Sequence, residues 1–239
     1  MKRTLTKTAD GSYTLYVPEL DEHYHSIHGA LQEANHVFIQ HGLEPLKEKS
    51  SIRVLEMGLG TALNAYLSYQ WAKKNKVSLW YSGVEAHPVE GEIIATCLKE
   101  IGVTQEQDLR FFSEFVYGTS QWIDHFTLDP IHASWAEIHF KESYDVVFYD
   151  AFGPRAQGEL WTIENFKIAF DALKPGGTLV TYCAKGQVKR DLKSVGFKVT
   201  LMPLLKVSCV VPNFSSFDSC TIFPATGWRS IRVLAIAFS

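Results

Sequence analysis

Short apolar runs and helical stripes take turns along this chain between residues 52 and about 200, and that alternation fixes the expected architecture. Ile52–Met57, Leu79–Val84, Tyr144–Tyr149 and Thr178–Tyr182 are brief apolar segments bounded by turn residues, the pattern of buried strands. Between them lie helix-spaced stripes. Leu63, Tyr66, Leu67 and Trp71 form one; Ile93, Ile94, Cys97, Leu98 and Ile101 form the next, near Pro88. Thr162 reads as the N-cap of a helix with Ile163, Phe166, Phe170 and Leu173 inside. Lys174-Pro175-Gly176-Gly177 ends it, and Val188, Leu192 and Val195 mark a last helix that stops at Gly196. Strand and helix in strict alternation predict an α/β fold with a doubly wound, mostly parallel, Rossmann-like sheet. Ahead of it, residues 11–18 alternate as a strand, and Ala30, Ala34, Val37 and Phe38 define a helix that Gly42 is expected to stop. Leu109–Phe112 reads as one more strand, and Trp122, Phe126, Trp135 and Phe140 as core and lid packing. The expected division is an N-terminal extension over 1–50, the α/β domain over 51–203 and an atypical tail over 204–239.

Candidate chemistry collects at the strand ends. The first buried strand runs into Gly58-Leu59-Gly60-Thr61-Ala62, a glycine turn leading into a helix whose first N–H groups suit a polar or anionic ligand. Such a unit serves either a dinucleotide or S-adenosylmethionine. A dinucleotide fingerprint wants Gly or Ala at its sixth position, which here is Leu63. Glu56 lies just before the turn. Glu85, at the tip of the next strand, is placed to accept both hydroxyl hydrogens of a ribose. Asp150, closing the strand Tyr144–Tyr149, is expected to face the same crevice.

Composition narrows the picture only a little. A net charge of −3 means that any nucleic-acid partner must be met by a local patch. Lys185, Lys189, Arg190 and Lys193 form one such cluster, which a solvated helix face explains equally well. No apolar run reaches the ~18 residues of a membrane span, and the start lacks the apolar stretch of a secretory signal. The four cysteines are scattered, which fits free thiols in a reducing compartment and a cytoplasmic protein. His23, His25 and His28 read as the polar rim of a cleft; with no carboxylate or thiol cluster beside them, no metal site is expected.

Taken together, Glu56-Met57-Gly58-Leu59-Gly60-Thr61, then Glu85, then Leu173–Thr178 resemble a class I S-adenosylmethionine-dependent methyltransferase. More narrowly, Asp150-Ala151-Phe152-Gly153-Pro154 followed by Glu159-Leu160-Trp161-Thr162 resembles the D-x-F-x-P…(D/E)-(M/L)-W-T signature of the MnmC/MnmD family. Tyr24-His25-Ser26, Gly29-Ala30, Glu33 and Val37-Phe38 are similar to that family's N-terminal segment. The resemblance spans roughly residues 10–200. It implies methylation of the aminomethyl group on a wobble 2-thiouridine of tRNA, with S-adenosyl-L-methionine as donor. It also implies a separate FAD-dependent oxidase or other enzymes supplying the aminomethyl uridine, since the chain is too short to hold an oxidase domain of its own. The cofactor residues implied are Glu56, Gly58, Leu59, Gly60, Thr61 and Glu85. Asp150 is the acid–base candidate that orients the amine and accepts its proton. Tyr24 and Phe152 are candidates to stack on a flipped base or simply to pack, and Lys185 and Arg190 to meet phosphates. Residues 204–239 depart from the family pattern and are read as divergent or misread sequence. Three other readings use the same fold: an NAD-dependent oxidoreductase, a small-amine methyltransferase or aminopropyltransferase, and a non-catalytic binding relative.

Overall fold

The computed structural model describes residues 2–8, 13–24, 29–202 and 230–234. A three-stranded antiparallel sheet comes first, of β1 (Thr4–Lys7), β2 (Tyr13–Val17) and β3 (Glu22–His23). Helix α1 (Ala30–Ala34) widens into a π-type stretch over Asn35–Leu43 and a short 3-10 turn at Glu44–Leu46. Then follow β4 (Ser51–Met57), α2 (Leu63–Asn75), β5 (Ser78–Glu85), α3 (Gly91–Glu100), α4 (Glu106–Ser113), β6 (Gln121–Ile123) and β7 (Phe126–His132). The chain continues through β8 (Tyr144–Tyr149), α5 (Ile163–Ala172), β9 (Leu173–Thr181), α6 (Gly186–Val195), β10 (Lys198–Met202) and β11 (Ser230–Leu234).

Among the described residues, eight strands make one sheet in the order β10-β11-β9-β8-β4-β5-β7-β6. Every pairing is parallel except the edge pair β6–β7. The mostly parallel, doubly wound sheet expected from the alternation is therefore present, and β11 adds a strand from within the segment read as an atypical tail. Each face has its own core. Ile52, Val54, Tyr81, Phe126 and Phe148 lie in one; Leu55, Met57, Val147, Tyr149 and Phe166 lie in the other. Full burial of such side chains is worth about 1.5–3 kcal/mol each, which explains why β8, buried at every position, sits centrally. At the amino ends of the central strands, the buried Asp145 carboxylate accepts from Lys49 (2.7 Å), Lys174 (2.8 Å) and the Arg53 N–H (2.9 Å), tying β4, β8 and β9 together. Burial opposes its ionisation, but these partners hold the carboxyl below its usual range.

Several local expectations are corrected. Gly42 does not stop its helix; the π-type stretch runs through it to Leu43. The glycine is there for packing, because a Cβ on it would lie 2.8 Å from the fully buried Phe148 ring and 3.4 Å from Val180. Gly42→Ala should therefore destabilise the fold by about 1–3 kcal/mol through overpacking, read as a lowered thermal midpoint; an unchanged midpoint would mean the ring yields freely. Residues 109–112 are helical, part of α4, where Glu106 and Arg110 pair one turn apart (2.5 Å) and Phe112 is buried. Ile163 is 47% exposed, since the inner face of α5 centres on Asn165, Phe166, Ala169 and Ala172. Trp122 is 79% exposed on edge strand β6, whereas Phe126 and Trp135 are buried as expected. The turn at Asp10-Gly11, the motif residues His25 and Ser26, His28, Cys209 and Cys220 fall outside the described residues. Among those described, no helix is long and apolar enough to cross a membrane.

The functional consequence is topological. After β4, the chain builds β5 and β7 on one side and then crosses to β8 on the other. The crevice at such a reversal, outside the carboxyl ends of the strands, is where open α/β sheets bind ligands.

Candidate active site

That crevice is a cleft lined by residues from the ends of β4, β5 and β8, with Tyr24 on one rim and Gln157 and Leu160 on another. Three carboxylates line it: Glu56, Glu85 and Asp150. Strand pairing brings them together. Asp150 directly follows β8, whose register on β4 sets Met57 beside Tyr149, and the Asp150 N–H donates to the Met57 carbonyl (3.2 Å).

The glycine turn is closed by this packing. Gly58 has φ +87°, and a Cβ on it would lie 3.0 Å from the Asp150 carbonyl oxygen. Its N–H donates to the Val84 carbonyl (2.9 Å), as does that of Leu59 (3.2 Å). The Gly60 N–H donates to Glu85 Oε2 (2.9 Å), and Glu85 Oε1 accepts from the His87 N–H (2.8 Å). The Gly58, Leu59 and Gly60 amides of the turn are thus already bonded, that of Gly60 to a buried carboxylate. A pyrophosphate here would compete with Glu85 for the Gly60 N–H and meet its negative charge. S-Adenosyl-L-methionine carries an ammonium group and ribose hydroxyls, all hydrogen-bond donors, and the carboxyl oxygens of Glu56, Glu85 and Asp150 place acceptors around one cleft.

A buried amide joins two of the acids. Asn64, on the first turn of α2, donates through Nδ2 to Glu56 Oε1 (2.8 Å) and to Asp150 Oδ2 (2.8 Å). Burial pushes the Glu56 carboxyl well above its usual range, and the Asp150 charge adds to the rise, against the Asn64 hydrogen bond. Asp150 is raised to about 8, first by burial and then by Glu33, again against the bond from Asn64.

The opposite wall is interlocked. Trp161 Nε1 donates to the Phe152 carbonyl (2.7 Å), Tyr182 Oη to the Ala151 carbonyl (2.7 Å), and Asn165 Nδ2 to the Glu159 carbonyl (2.8 Å). Thr162 caps α5 by accepting from the Asn165 N–H (3.4 Å), and the Tyr149 hydroxyl donates to the Leu160 carbonyl. These bonds give the Asp150–Pro154 and Glu159–Thr162 motifs a physical reason: together they make a rigid ledge that presents Asp150 and Phe152. The Phe152 ring meets Tyr24 edge-on at 4.9 Å. Tyr24 in turn accepts from Arg3 Nε (3.0 Å); Arg3 also donates to the carbonyls of Pro88 (3.0 Å) and His87, pinning the N-terminal sheet over the loop after β5.

Of the residues singled out from sequence, Glu56, Gly58, Leu59, Gly60, Glu85, Asp150, Tyr24 and Phe152 all line the cleft. Thr61 is buried and is not among the lining residues. Lys185 and Arg190 are exposed at the start and on the outer face of α6, with Arg190 donating to Gln187 (2.7 Å), and neither lines the cleft. Sequence reasoning missed Asn64 and Arg3. The one signal for Asn64 is a polar amide between Leu63 and Ala65 in an otherwise apolar first turn. Among the described residues, no group of three His, Cys, Asp or Glu is arranged to hold a metal ion.

A family model described as S-adenosyl-L-methionine-dependent methyltransferase matches residues 127–206, which include β8, Asp150 and the interlocked ledge. The chain is 25% identical over 203 residues to the tRNA 5-methylaminomethyl-2-thiouridine biosynthesis bifunctional protein MnmC of Nitrosospira multiformis, covering 77% of this chain and 32% of the relative. It is 27% identical over 216 residues to the protein of the same name from Cupriavidus metallidurans, covering 80% and 30%. The chain thus spans about a third of the length of these relatives. Its structure is similar to the crystal structure of MnmC2 from Aquifex aeolicus, with a TM-score of 0.67, 27% identity, and coverage of 82% of this chain and 65% of that one. Fold, cleft and family model define an S-adenosyl-L-methionine-dependent methyltransferase. Within that class the chain is similar to proteins of the MnmC type.

Proposed function

We propose that this protein transfers a methyl group from S-adenosyl-L-methionine to the aminomethyl nitrogen of 5-aminomethyl-2-thiouridine at the tRNA wobble position. The carrying observation is Asp150, a cleft carboxyl raised to about 8 and presented on a rigid ledge beside Phe152. Bound in the cleft, the cofactor supplies an electrophilic methyl group. Glu85 would accept from its ribose hydroxyls, because each oxygen keeps lone-pair capacity beyond the single backbone N–H it already accepts. Gly58, Leu59 and Gly60 shape the floor on which it lies.

The acceptor amine is protonated in water near neutral pH, and only its neutral form has a lone pair to attack. Asp150 takes that proton. A base whose proton affinity lies near the working pH is suited to the task, and the arrival of an ammonium group favours the ionised carboxylate. Phe152 and Tyr24 offer ring faces and edges to a base withdrawn from the anticodon stack. Alignment of nitrogen, methyl carbon and sulfur supplies much of the remaining acceleration. The exposed cations of α6, Lys185 and Arg190 among them, would meet tRNA phosphates away from the chemistry. The aminomethyl substrate would come from a separate FAD-dependent oxidase or from other enzymes that build the modified uridine.

The test is transfer of labelled methyl groups to tRNA that carries the aminomethyl uridine, followed by nucleoside analysis. Label in the methylaminomethyl nucleoside is the expected result. Label on free small amines but not on tRNA would assign the cleft to small-amine methylation instead.

A further inference from the structure

Asn64 is 2% exposed, lines the cleft, and spends its amide hydrogens on two carboxylates, Glu56 and Asp150. Its Oδ1 is buried and accepts no hydrogen bond from any described residue. A buried acceptor left unmet costs about 1–3 kcal/mol, and such groups in native proteins call for a reason. Here the reason lies next to it. The bonded Asp150 oxygen is 2.8 Å from Nδ2, on the same amide head whose other end is unmet. A primary ammonium seated against Asp150 has three N–H groups in tetrahedral directions, and they cannot all point at one carboxylate.

We propose, building on the amine-methylation reading above, that Asn64 is the positioning residue of this site. Its Nδ2 holds Glu56 and Asp150 in place, while its Oδ1 accepts an N–H of the amine that Asp150 deprotonates. In that step one ammonium N–H bond breaks, its electrons stay on nitrogen as the attacking lone pair, and an O–H bond forms on Asp150. Asn64 exchanges no proton. It fixes the direction from which the nitrogen approaches. The other titratable groups acting on this cluster are Glu33 from α1, Glu56 from β4, Tyr81 and Glu85 from β5 and Tyr182 just beyond β9, and none is a cation. The amide is therefore what steadies a cluster of acids until a cationic ligand arrives.

The test compares N64A and N64S with the unaltered protein, both checked for native thermal unfolding. The Asp150 carboxyl is titrated by carbon NMR in the ligand-free state, S-adenosyl-L-methionine binding is measured by calorimetry, and methyl transfer is followed against pH. In N64A the Asp150 midpoint should rise above about 8, because a bond to its ionised form is lost. Methyl transfer should fall about ten- to a hundredfold in kcat, the loss of one or two bonds to a charged group. Affinity for the methyl donor should change less than about threefold, and the acid limb of the rate profile should move to higher pH. N64S, which retains one donor, should fall between. An unmoved Asp150 midpoint in N64A, or lost donor affinity with kcat intact, would overturn the proposal. If the unaltered protein methylates no tRNA, the substrate reading fails by itself, and the ligand-free midpoint still decides whether Asn64 controls Asp150.

Discussion

Replacing Asp150 by asparagine should abolish most methyl transfer while making the ligand-free protein more stable near neutral pH. The loss of a positioned base costs about 10²–10⁴-fold in kcat. The gain in stability follows from the sign of the shift. Asp150 titrates at about 8 in the folded protein, against roughly 3.9 in an unfolded chain. Below pH ~4 both states hold the proton and the residue has no net effect. Between pH ~4 and ~8 the unfolded chain ionises first, so folding must keep or restore a proton, and stability falls as pH rises. Asparagine carries no charge in either state and can still accept from Asn64. Asp150 is part-exposed at the cleft, so solvent reduces the effect, and about 1–2 kcal/mol is the expected gain at pH 7.5. Thermal midpoints across pH check this: D150N should melt higher at pH 7.5, with the difference closing towards pH 4. A variant that is active, or that melts lower at neutral pH, would remove Asp150 from the acid–base role.

Glu85→Ala should weaken binding of S-adenosyl-L-methionine by about 100-fold or more. Two hydrogen bonds from ribose hydroxyls to a carboxylate are worth about 1.5–3 kcal/mol each when made in a part-dry site. The same substitution strips the Gly60 and His87 N–H groups of their acceptor, so the glycine turn loosens and the thermal midpoint also falls. Glu85→Gln separates the two effects. It retains one oxygen to receive a backbone N–H but presents an amide where the second hydroxyl needs an acceptor. Its midpoint should recover more than its affinity. Equal donor affinity in the folded Glu85→Ala protein would show that Glu85 serves only the turn.

The strand ends were legible in the sequence because burial changes abruptly there. Glu56, Glu85 and Asp150 each interrupt or close an apolar strand, and a parallel sheet carries such residues to one edge. Asn64 was not legible as a site residue. Its meaning depends on the β4–β8 pairing that carries Asp150 to it from 86 positions away. Arg3 was hidden for the same reason, since its partners beyond β5 lie 84 to 87 positions on. Gly42 misled because a glycine after an amphipathic stripe reads as a stop, and only the position of Phe148 shows that it makes room for a ring. Closeness along the chain grouped Lys185, Lys189, Arg190 and Lys193 into one basic cluster but carried no information on their distance from the cleft. Only the folded geometry shows Glu85 already seated on the Gly60 N–H of the glycine turn, where a pyrophosphate would have to compete with it.

The most direct measurement is a calorimetric titration of the purified protein with S-adenosyl-L-methionine, with NAD titrated in parallel. Saturable binding of the methyl donor with no heat from NAD is the expected result, because a pyrophosphate would have to compete with Glu85 for the Gly60 N–H. Binding of NAD in preference to the methyl donor would contradict the assignment of this cleft.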